Sequence, residues 1–316
     1  MRTDILTITL NPTVDYATTA PDILRDQKLR CTEPQIDPGG GGINVARAIR
    51  KLGGQATALV AIGGATGAHL LQLLALEGVP TVAFQGPGET RQSMTVTETS
   101  TGEQLRFVMP GPSWNDADVA RGLDSIDQAA GDGTFVVLSG SQPPGVAKDF
   151  PTIAAEHVAG RKAKLIVDTS GPALEHLAAD AHDAVFLLRM DGEEAEGLAG
   201  RPLPLRADTA NFARSLVNKG VARNIIVARG ADGSVLAAAD KAWHCVAPKV
   251  KVISKVGAGD SFVGAFTLSS ARGEPLPDSL KAGVAAASAA VASEATRLCD
   301  PDLTAKIAQN CEMAEV

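Results

Sequence analysis

A chain of 316 residues is long enough for one large α/β domain or two smaller ones, and with 45% hydrophobic but 3% aromatic residues its core must be aliphatic and rich in alanine. A net charge of −7 without any long basic run argues against nucleic acid or an acidic membrane as a partner. Cys31, Cys245, Cys299 and Cys311 are scattered, with no CxxC pair and no histidine at ligand spacing, so neither a zinc site nor a disulfide framework is indicated.

Met1-Arg2-Thr3-Asp4 runs straight into an amphipathic strand without an apolar secretory core, and no apolar run approaches membrane length. A soluble, cytoplasmic protein is expected. Ile5-Leu6-Thr7-Ile8-Thr9-Leu10 alternates β-branched and apolar residues and stops at Asn11-Pro12, which predicts a core strand ending in a loop. Asp15 follows just past that end. Ligands of open α/β sheets lie beyond the carboxyl ends of strands, so Asp15 is a candidate for holding a sugar hydroxyl; a turn-forming aspartate explains it equally well.

From Thr18 to Ile36, and again from Gln92 to Met109, helical periodicity gives way to β-formers. Met94 to Glu98 and Gln104 to Val108 flank Thr99-Ser100-Thr101-Gly102-Glu103, a hairpin pattern. Insertions at about residues 17–36 and 92–110 predict a small β-sheet lid on one α/β domain spanning 1–316. A sheet of that size is marginal unless covered, so a second copy is expected to bury one face, giving a homodimer through the lid.

Asp37-Pro38-Gly39-Gly40-Gly41-Gly42-Ile43-Asn44 opens an amphipathic helix. Its glycines let backbone approach a ligand, and Asn44 offers a donor and an acceptor to hydroxyls. No glycine follows where the dinucleotide fingerprint needs its third, and no Gly-Lys-Ser/Thr ends a glycine loop. A flexible linker is disfavoured because apolar periodicity starts at once.

Strands and helices then alternate, predicting a doubly wound, mostly parallel sheet flanked by helices. Thr57 to Ile62 reads as a buried strand and His69 to Gly78 as a helix. Phe135 to Leu138 ends at Ser139-Gly140-Ser141, Lys164 to Val167 at Asp168, and Val185 to Leu188 at Arg189, so each polar end is a site candidate. Asn224 to Ala228 meets the turn Arg229-Gly230-Ala231-Asp232-Gly233 and Ser234 to Ala237, a hairpin. The small-residue helix from Ala282 to Ala295 suits close packing or a flat ring such as adenine, and Met313 to Val316 reads as a frayed tail.

One further stretch, Lys255-Val256-Gly257-Ala258-Gly259-Asp260-Ser261, feeds an apolar helix. Free amides and the helix dipole make the Gly257-Ala258-Gly259 backbone a place for phosphate. Asp260 beside it is repelled by that phosphate, which makes sense for a base receiving a hydroxyl proton as a phosphoryl group arrives. A helix cap accounts for Asp260 as well.

With the tetraglycine loop near one end and Gly-Ala-Gly-Asp near the other, the chain resembles the ribokinase-like, PfkB-type sugar kinases over essentially its whole length. Leu10-Asn11-Pro12 with Asp15, Thr90-Arg91-Gln92, Ser139-Gly140-Ser141 and Phe107-Val108-Met109-Pro110-Gly111 resemble its phosphofructokinase and tagatose-6-phosphate kinase branch. The resemblance implies ATP- and Mg²⁺-dependent phosphorylation of a ketohexose phosphate, with potassium an open option. Fructose 6-phosphate giving fructose 1,6-bisphosphate ranks first; tagatose 6-phosphate, fructose 1-phosphate and a sugar-phosphate sensor with weak turnover are the alternatives.

By the same resemblance Asp260 is the base and Gly257, Ala258 and Gly259 supply the anion hole. Asp15, Gly40, Asn44 and Ser139 would line the sugar site, with Arg91 gripping the existing phosphate and Lys28 and Arg106 adding charge from the lid. Arg189, Asp191, Ala228, Gly230, Gly233 and Lys255 would face the nucleotide, and Glu194 would serve Mg²⁺ and its waters. The nucleotide side also carries the departures. Arg189-Met190-Asp191-Gly192-Glu193-Glu194 stands where the family usually has Lys-Pro-Asn-x-x-Glu, Lys255 stands where a small hydroxyl residue is common, and Arg229 lies in the turn expected near the nucleotide.

Overall fold

The computed structural model describes residues 5–182 and 184–316, apart from the side chain of Ala295. The run-in from Met1 to Asp4 therefore lies outside the described residues. In chain order the first half comprises β1 (Ile5–Thr9), β2 (Thr13–Ala20), β3 (Gln35–Gly39), α1 (Gly41–Lys51), β4 (Thr57–Ile62), α2 (Gly64–Leu76), β5 (Thr81–Gln85), β6 (Arg91–Glu98), β7 (Gln104–Val108) and α3 (Asp116–Ala129). Next come β8 (Phe135–Ser139), α4 (Phe150–Ala159), β9 (Lys164–Asp168), α5 (Gly171–Ala179), β10 (Val185–Met190), α6 (Gly192–Ala199) and α7 (Arg206–Lys219). The chain closes with β11 (Asn224–Ala228), β12 (Ser234–Ala237), β13 (Ala242–Val246), α8 (Ala258–Ala271), α9 (Leu276–Val291), α10 (Pro301–Ala308) and β14 (Glu312–Glu315).

These strands form a ten-stranded sheet in the order β14-β13-β12-β11-β10-β9-β8-β1-β4-β5. Pairing is parallel from β5 through to β11 and antiparallel among β11, β12, β13 and β14. Alternation of side chains along each strand feeds two cores, one on each face of the sheet. In β8, Val136 and Leu138 join a cluster with Ile126 of α3, Ala154 of α4 and Leu174 of α5. Phe135 and Val137 face the other way, towards Val45 of α1, Leu70 of α2 and Phe262 of α8. Helices on both faces cover the parallel strands, as apolar runs without polar alternation require.

A separate four-stranded sheet, β3-β2-β6-β7, is the lid. Its first strand begins at Thr13, so Asp15 belongs to the lid sheet rather than to a loop, and residues 21–34 contain no strand. Apolar side chains remain uncovered on β6 and β7: Met94, Leu105, Phe107 and Val108 are all exposed.

Three other local expectations change. The helix read from His69 begins earlier, at Gly64, because Glu89 supplies carboxylate acceptors to the Ala65 and Thr66 amides of its first turn. The strand read as ending at Arg189 continues to Met190. The tail read as frayed is ordered: β14 pairs with β13, Val316 N donates to Ala242 O at 2.9 Å, and Arg214 holds the Val316 carbonyl. Without β14 the β13 ladder would present an unpaired edge. The small-residue stretch in α9 is core, since Ala285, Ala286, Ala289 and Ala290 are wholly buried against α8 and α10.

Close approach, rather than flexibility, explains the last glycine of the tetraglycine run. A Cβ on Gly42 would lie 2.4 Å from Ile8 O and 2.6 Å from Thr9 Oγ1, so α1 can seat its first turn on β1 only without a side chain there. Gly42→Ala is expected to cost about 1–3 kcal/mol of stability, the range for overpacking, as read from urea denaturation.

Candidate active site

Two helix N-termini face each other at the carboxyl edge of the parallel strands. Gly40, with φ 117°, opens α1, and Gly257, with φ 73°, opens α8. Both backbones take conformations that residues with a Cβ rarely adopt. Asp260 lies in the first turn of α8, and Asn44 in the first turn of α1 donates from Nδ2 to Asp260 Oδ2 at 3.0 Å. The residue capping α8 is Gly257, not Asp260, so helix capping no longer accounts for the aspartate.

Asp260 is largely enclosed and keeps an edge on a cavity of about 180 Å³ that also meets Ser139, Ser141, Asp168, Arg189 and Glu194. Burial, with the Asp168 carboxylate second, pushes the Asp260 carboxyl up to about 7, against the opposing pull of Asn44, Arg189 and Arg47. Asp168 ends β9 and is held by Arg189 Nη1 at 3.0 Å and by the Ser139 hydroxyl at 3.3 Å. The Arg189 guanidinium lies across Gly259, where a Cβ would come within 3.1 Å of Nη1. A fixed cation thus sits between two carboxylates and beside the free amides that open α8.

Asp191 and Glu194 form a reciprocal cap on α6: Asp191 Oδ1 accepts from Glu194 N at 2.9 Å, and Glu194 Oε2 accepts from Asp191 N at 2.8 Å. Aspartate and asparagine cap equally well, so Asp191 in place of asparagine preserves the local fold. Burial raises the Glu194 carboxyl above its ordinary range. Among the described residues no group of three or more His, Cys, Asp or Glu side chains stands in metal-ligating geometry. Glu194 nevertheless faces the same cavity as Asp260, a place from which a carboxylate fits the water shell of a hard cation bridging phosphates.

A larger cavity of about 660 Å³ adjoins this one, sharing Arg189 and Asp191. Its walls include Leu203, Pro204, Val227 and Ala228, with Gly230 at one side and Lys255 as an exposed cation. A cleft with one apolar side, leading to amides and to the cations Arg189 and Lys255, fits a nucleotide. Gly233 does not line it; a Cβ there would lie 1.9 Å from Cys245 O, so this glycine serves the β11–β12 turn.

On the lid side, Asp15 pairs across the sheet with Asp37, and burial raises its carboxyl while Thr13 and Arg91 oppose. Arg91 on β6 makes only long bonds, to Asn11 O at 3.3 and 3.4 Å, Ser93 Oγ at 3.3 Å and Met109 O at 3.4 Å. Such contacts leave the guanidinium able to exchange partners for a phosphate. Lys28 and Arg106 are exposed and line neither cavity.

The sequence reading gives Arg47 no role in the site. It is buried, donating from Nε to Glu77 at 2.6 Å, from Nη1 to Asn44 Oδ1 at 3.2 Å and from Nη2 to Asp37 at 3.4 Å, and so holds the asparagine that donates to Asp260. A charged residue on the apolar face of α1 is the sequence signal for it. The pairing of Asp168 with Arg189 had no such signal beyond two polar strand ends.

Residues 5–303 match the pfkB family of carbohydrate kinases. The chain belongs to that family. ATP-dependent 6-phosphofructokinase isozyme 2 of Escherichia coli K12 is 43% identical over 303 residues, covering 96% of this chain and 97% of its own. The 1-phosphofructokinase of Bacillus subtilis 168 is 31% identical over 290 residues, 92% and 93% of the two chains. Among solved structures, phosphofructokinase-2 from Escherichia coli in complex with potassium superposes with a TM-score of 0.91 at 41% identity, covering 97% of this chain and 98% of that one.

Because the folded state raises the Asp260 carboxyl to about 7 from an ordinary 3.8, keeping it ionised costs folding energy. That cost is absent below about pH 4, grows between the two values and is complete above about 7. Asp260→Asn is therefore expected to raise stability by about 1–2 kcal/mol at pH 8 and by nothing at pH 4, as thermal melts at the two pH values would read.

Proposed function

We propose that this protein transfers the terminal phosphoryl group of ATP to the free primary hydroxyl of a ketohexose phosphate, with fructose 6-phosphate as its main acceptor. The observation that carries the reading is a largely enclosed carboxylate of raised pKa, Asp260, at the mouth of a glycine-opened helix terminus, between a nucleotide-sized cleft and the lid. Phosphofructokinase relatives of both kinds support the substrate class, and the Escherichia coli enzyme has been solved with fructose-6-phosphate. The higher identity to the 6-phosphofructokinase favours fructose 6-phosphate over fructose 1-phosphate.

In this reading Asn44 orients Asp260, which accepts the sugar hydroxyl proton as that oxygen bonds to phosphorus and ADP departs with the bridging oxygen. The amides of Gly257, Ala258 and Gly259, with Arg189 above them, meet the charge on the phosphoryl oxygens. Asp15 and Asn44 hold sugar hydroxyls, and Arg91 leaves its long bonds to Asn11 and Met109 for the sugar's own phosphate. Lys28 and Arg106 reach that phosphate only if the lid folds inward or a second copy brings them. Ala228, Gly230 and Lys255 hold the nucleotide, and Glu194 is the residue that would serve Mg²⁺. When bound, Mg²⁺ neutralises phosphate charge and aligns the terminal group.

The exposed Met94, Leu105 and Phe107, which share one face of the lid, favour a homodimer that buries this face. The Escherichia coli enzyme also has a tetrameric inhibited form, so a dimer is the smallest assembly in this proposal. Potassium, an option from the family resemblance, is supported by the Escherichia coli structure in complex with potassium. ATP and a phosphosugar as substrates favour a cytoplasmic enzyme; no helix among the described residues is long and apolar enough to cross a membrane.

Coupled assays with fructose 6-phosphate, tagatose 6-phosphate and fructose 1-phosphate test the acceptor. The fructose 6-phosphate kcat/KM is expected to lead, and Arg91→Ala to raise its KM by about 10- to 100-fold, the value of a charge-assisted contact to phosphate. Turnover of none of the three, with phosphosugar binding unchanged in Arg91→Ala, would remove the assignment.

A further inference from the structure

One wall of the larger cavity is formed by Leu203 and Pro204, in the segment that joins α6 to α7 through Leu205 and has no regular structure of its own. Its backbone polar groups are nevertheless all engaged. Leu203 N donates to Glu196 Oε1 at 2.7 Å, and Leu205 N donates to Asp208 Oδ2 at 3.1 Å. Proline at 204 has no N–H to satisfy. All three carbonyls accept from one side chain: Arg229 Nη1 donates to Leu203 O at 3.0 Å and to Leu205 O at 3.3 Å, and Nη2 donates to Pro204 O at 2.9 Å, while Leu205 O also accepts from Thr209 N at 3.2 Å as α7 begins.

Arg229 is itself fixed from behind. Its Nε donates to Asp232 Oδ2 at 2.9 Å, and Nη1 also reaches the Thr209 hydroxyl. Arg206 grips the same Asp232 carboxylate, and buried His244 meets the Asp232 carbonyl at 2.6 Å. The Arg229 side chain is only 14% exposed, and each of its three nitrogens has a partner. Although it borders the cavity, it is committed to the wall and not to a ligand.

We infer that Arg229 is a positioning residue for the phosphoryl donor: it holds the Leu203–Leu205 wall in the shape against which the nucleotide binds. The inference rests on the reading of this cavity as the donor cleft. Without the guanidinium the Leu203 and Pro204 carbonyls lose the donor that fixes them, and re-ordering this stretch when the phosphoryl donor binds would subtract from affinity. A planar guanidinium with donors in one fork can satisfy three consecutive carbonyls at once. A lysine, with one point charge on a flexible stem, cannot. The loss of Arg229 should therefore fall on the donor and spare the acceptor, whose site lies across the Asp260 pocket.

Arg229→Met and Arg229→Lys test this by steady-state kinetics with each substrate varied in turn, together with calorimetric titration of ATP and Mg²⁺. In Arg229→Met the KM and Kd for ATP are expected to rise about tenfold, with a smaller rise in Arg229→Lys and a KM for fructose 6-phosphate within about twofold of wild type. Unchanged ATP affinity, or an equal loss for both substrates, overturns the inference. Should Arg229→Met fail to fold, Arg229→Lys decides the matter by the same criteria. Wild-type protein without affinity for ATP would instead remove the donor reading, and this inference with it.

Discussion

The enclosure of one carboxylate is the constraint to which the rest of the site answers. Asp260 could not stay ionised in an apolar pocket; here Asn44 donates to it, Arg189 lies nearby as a cation, and the amides opening α8 sit alongside. Asp168 works against that balance, raising the carboxyl, and is itself restrained by Arg189 and Ser139. The outcome is a carboxylate poised near neutrality, suited to taking a proton from an alcohol at the moment the alcohol becomes acidic. Each partner comes from a different element, so Asp260 has its character only in the folded sheet.

That dependence explains the two sets of glycines. Gly42 lets α1 come down onto β1, and Gly257 turns the chain so that α8 points its first amides at the pocket. Arg47, buried between Asn44, Asp37 and Glu77, then links Asn44 to the lid strand β3. Losing that arginine would leave the half-buried Asp37 and Glu77 without the cation they share.

Much of the parallel sheet was legible in the sequence because its strands are short apolar runs with polar ends; Thr57–Ile62 and Asn224–Ala228 coincide with the expected bounds. The glycine-opened helices were legible for a related reason, since local backbone chemistry marks them. What periodicity does not carry is pairing over distance. Asn44 and Asp260 stand 216 positions apart, and Asp168 and Arg189 lie on neighbouring strands that only the fold juxtaposes. The C-terminal strand was missed because four residues with two glutamates have weak β character, and its place is set by the edge it covers. Arg229 was read from its turn as a neighbour of the nucleotide; its bonds to three carbonyls came from a loop more than twenty residues upstream.

The claim that Asp260 is the proton acceptor is tested most directly by Asp260→Asn, measured as the single-turnover rate of phosphoryl transfer beside calorimetric binding of ATP and fructose 6-phosphate. Asparagine keeps the shape and the contact with Asn44 while removing the basic oxygen. Binding of both ligands is expected to stay within a few-fold of wild type while the transfer rate falls by about 10²–10⁴, the usual worth of a positioned general base. A transfer rate equal to that of wild type would contradict the account.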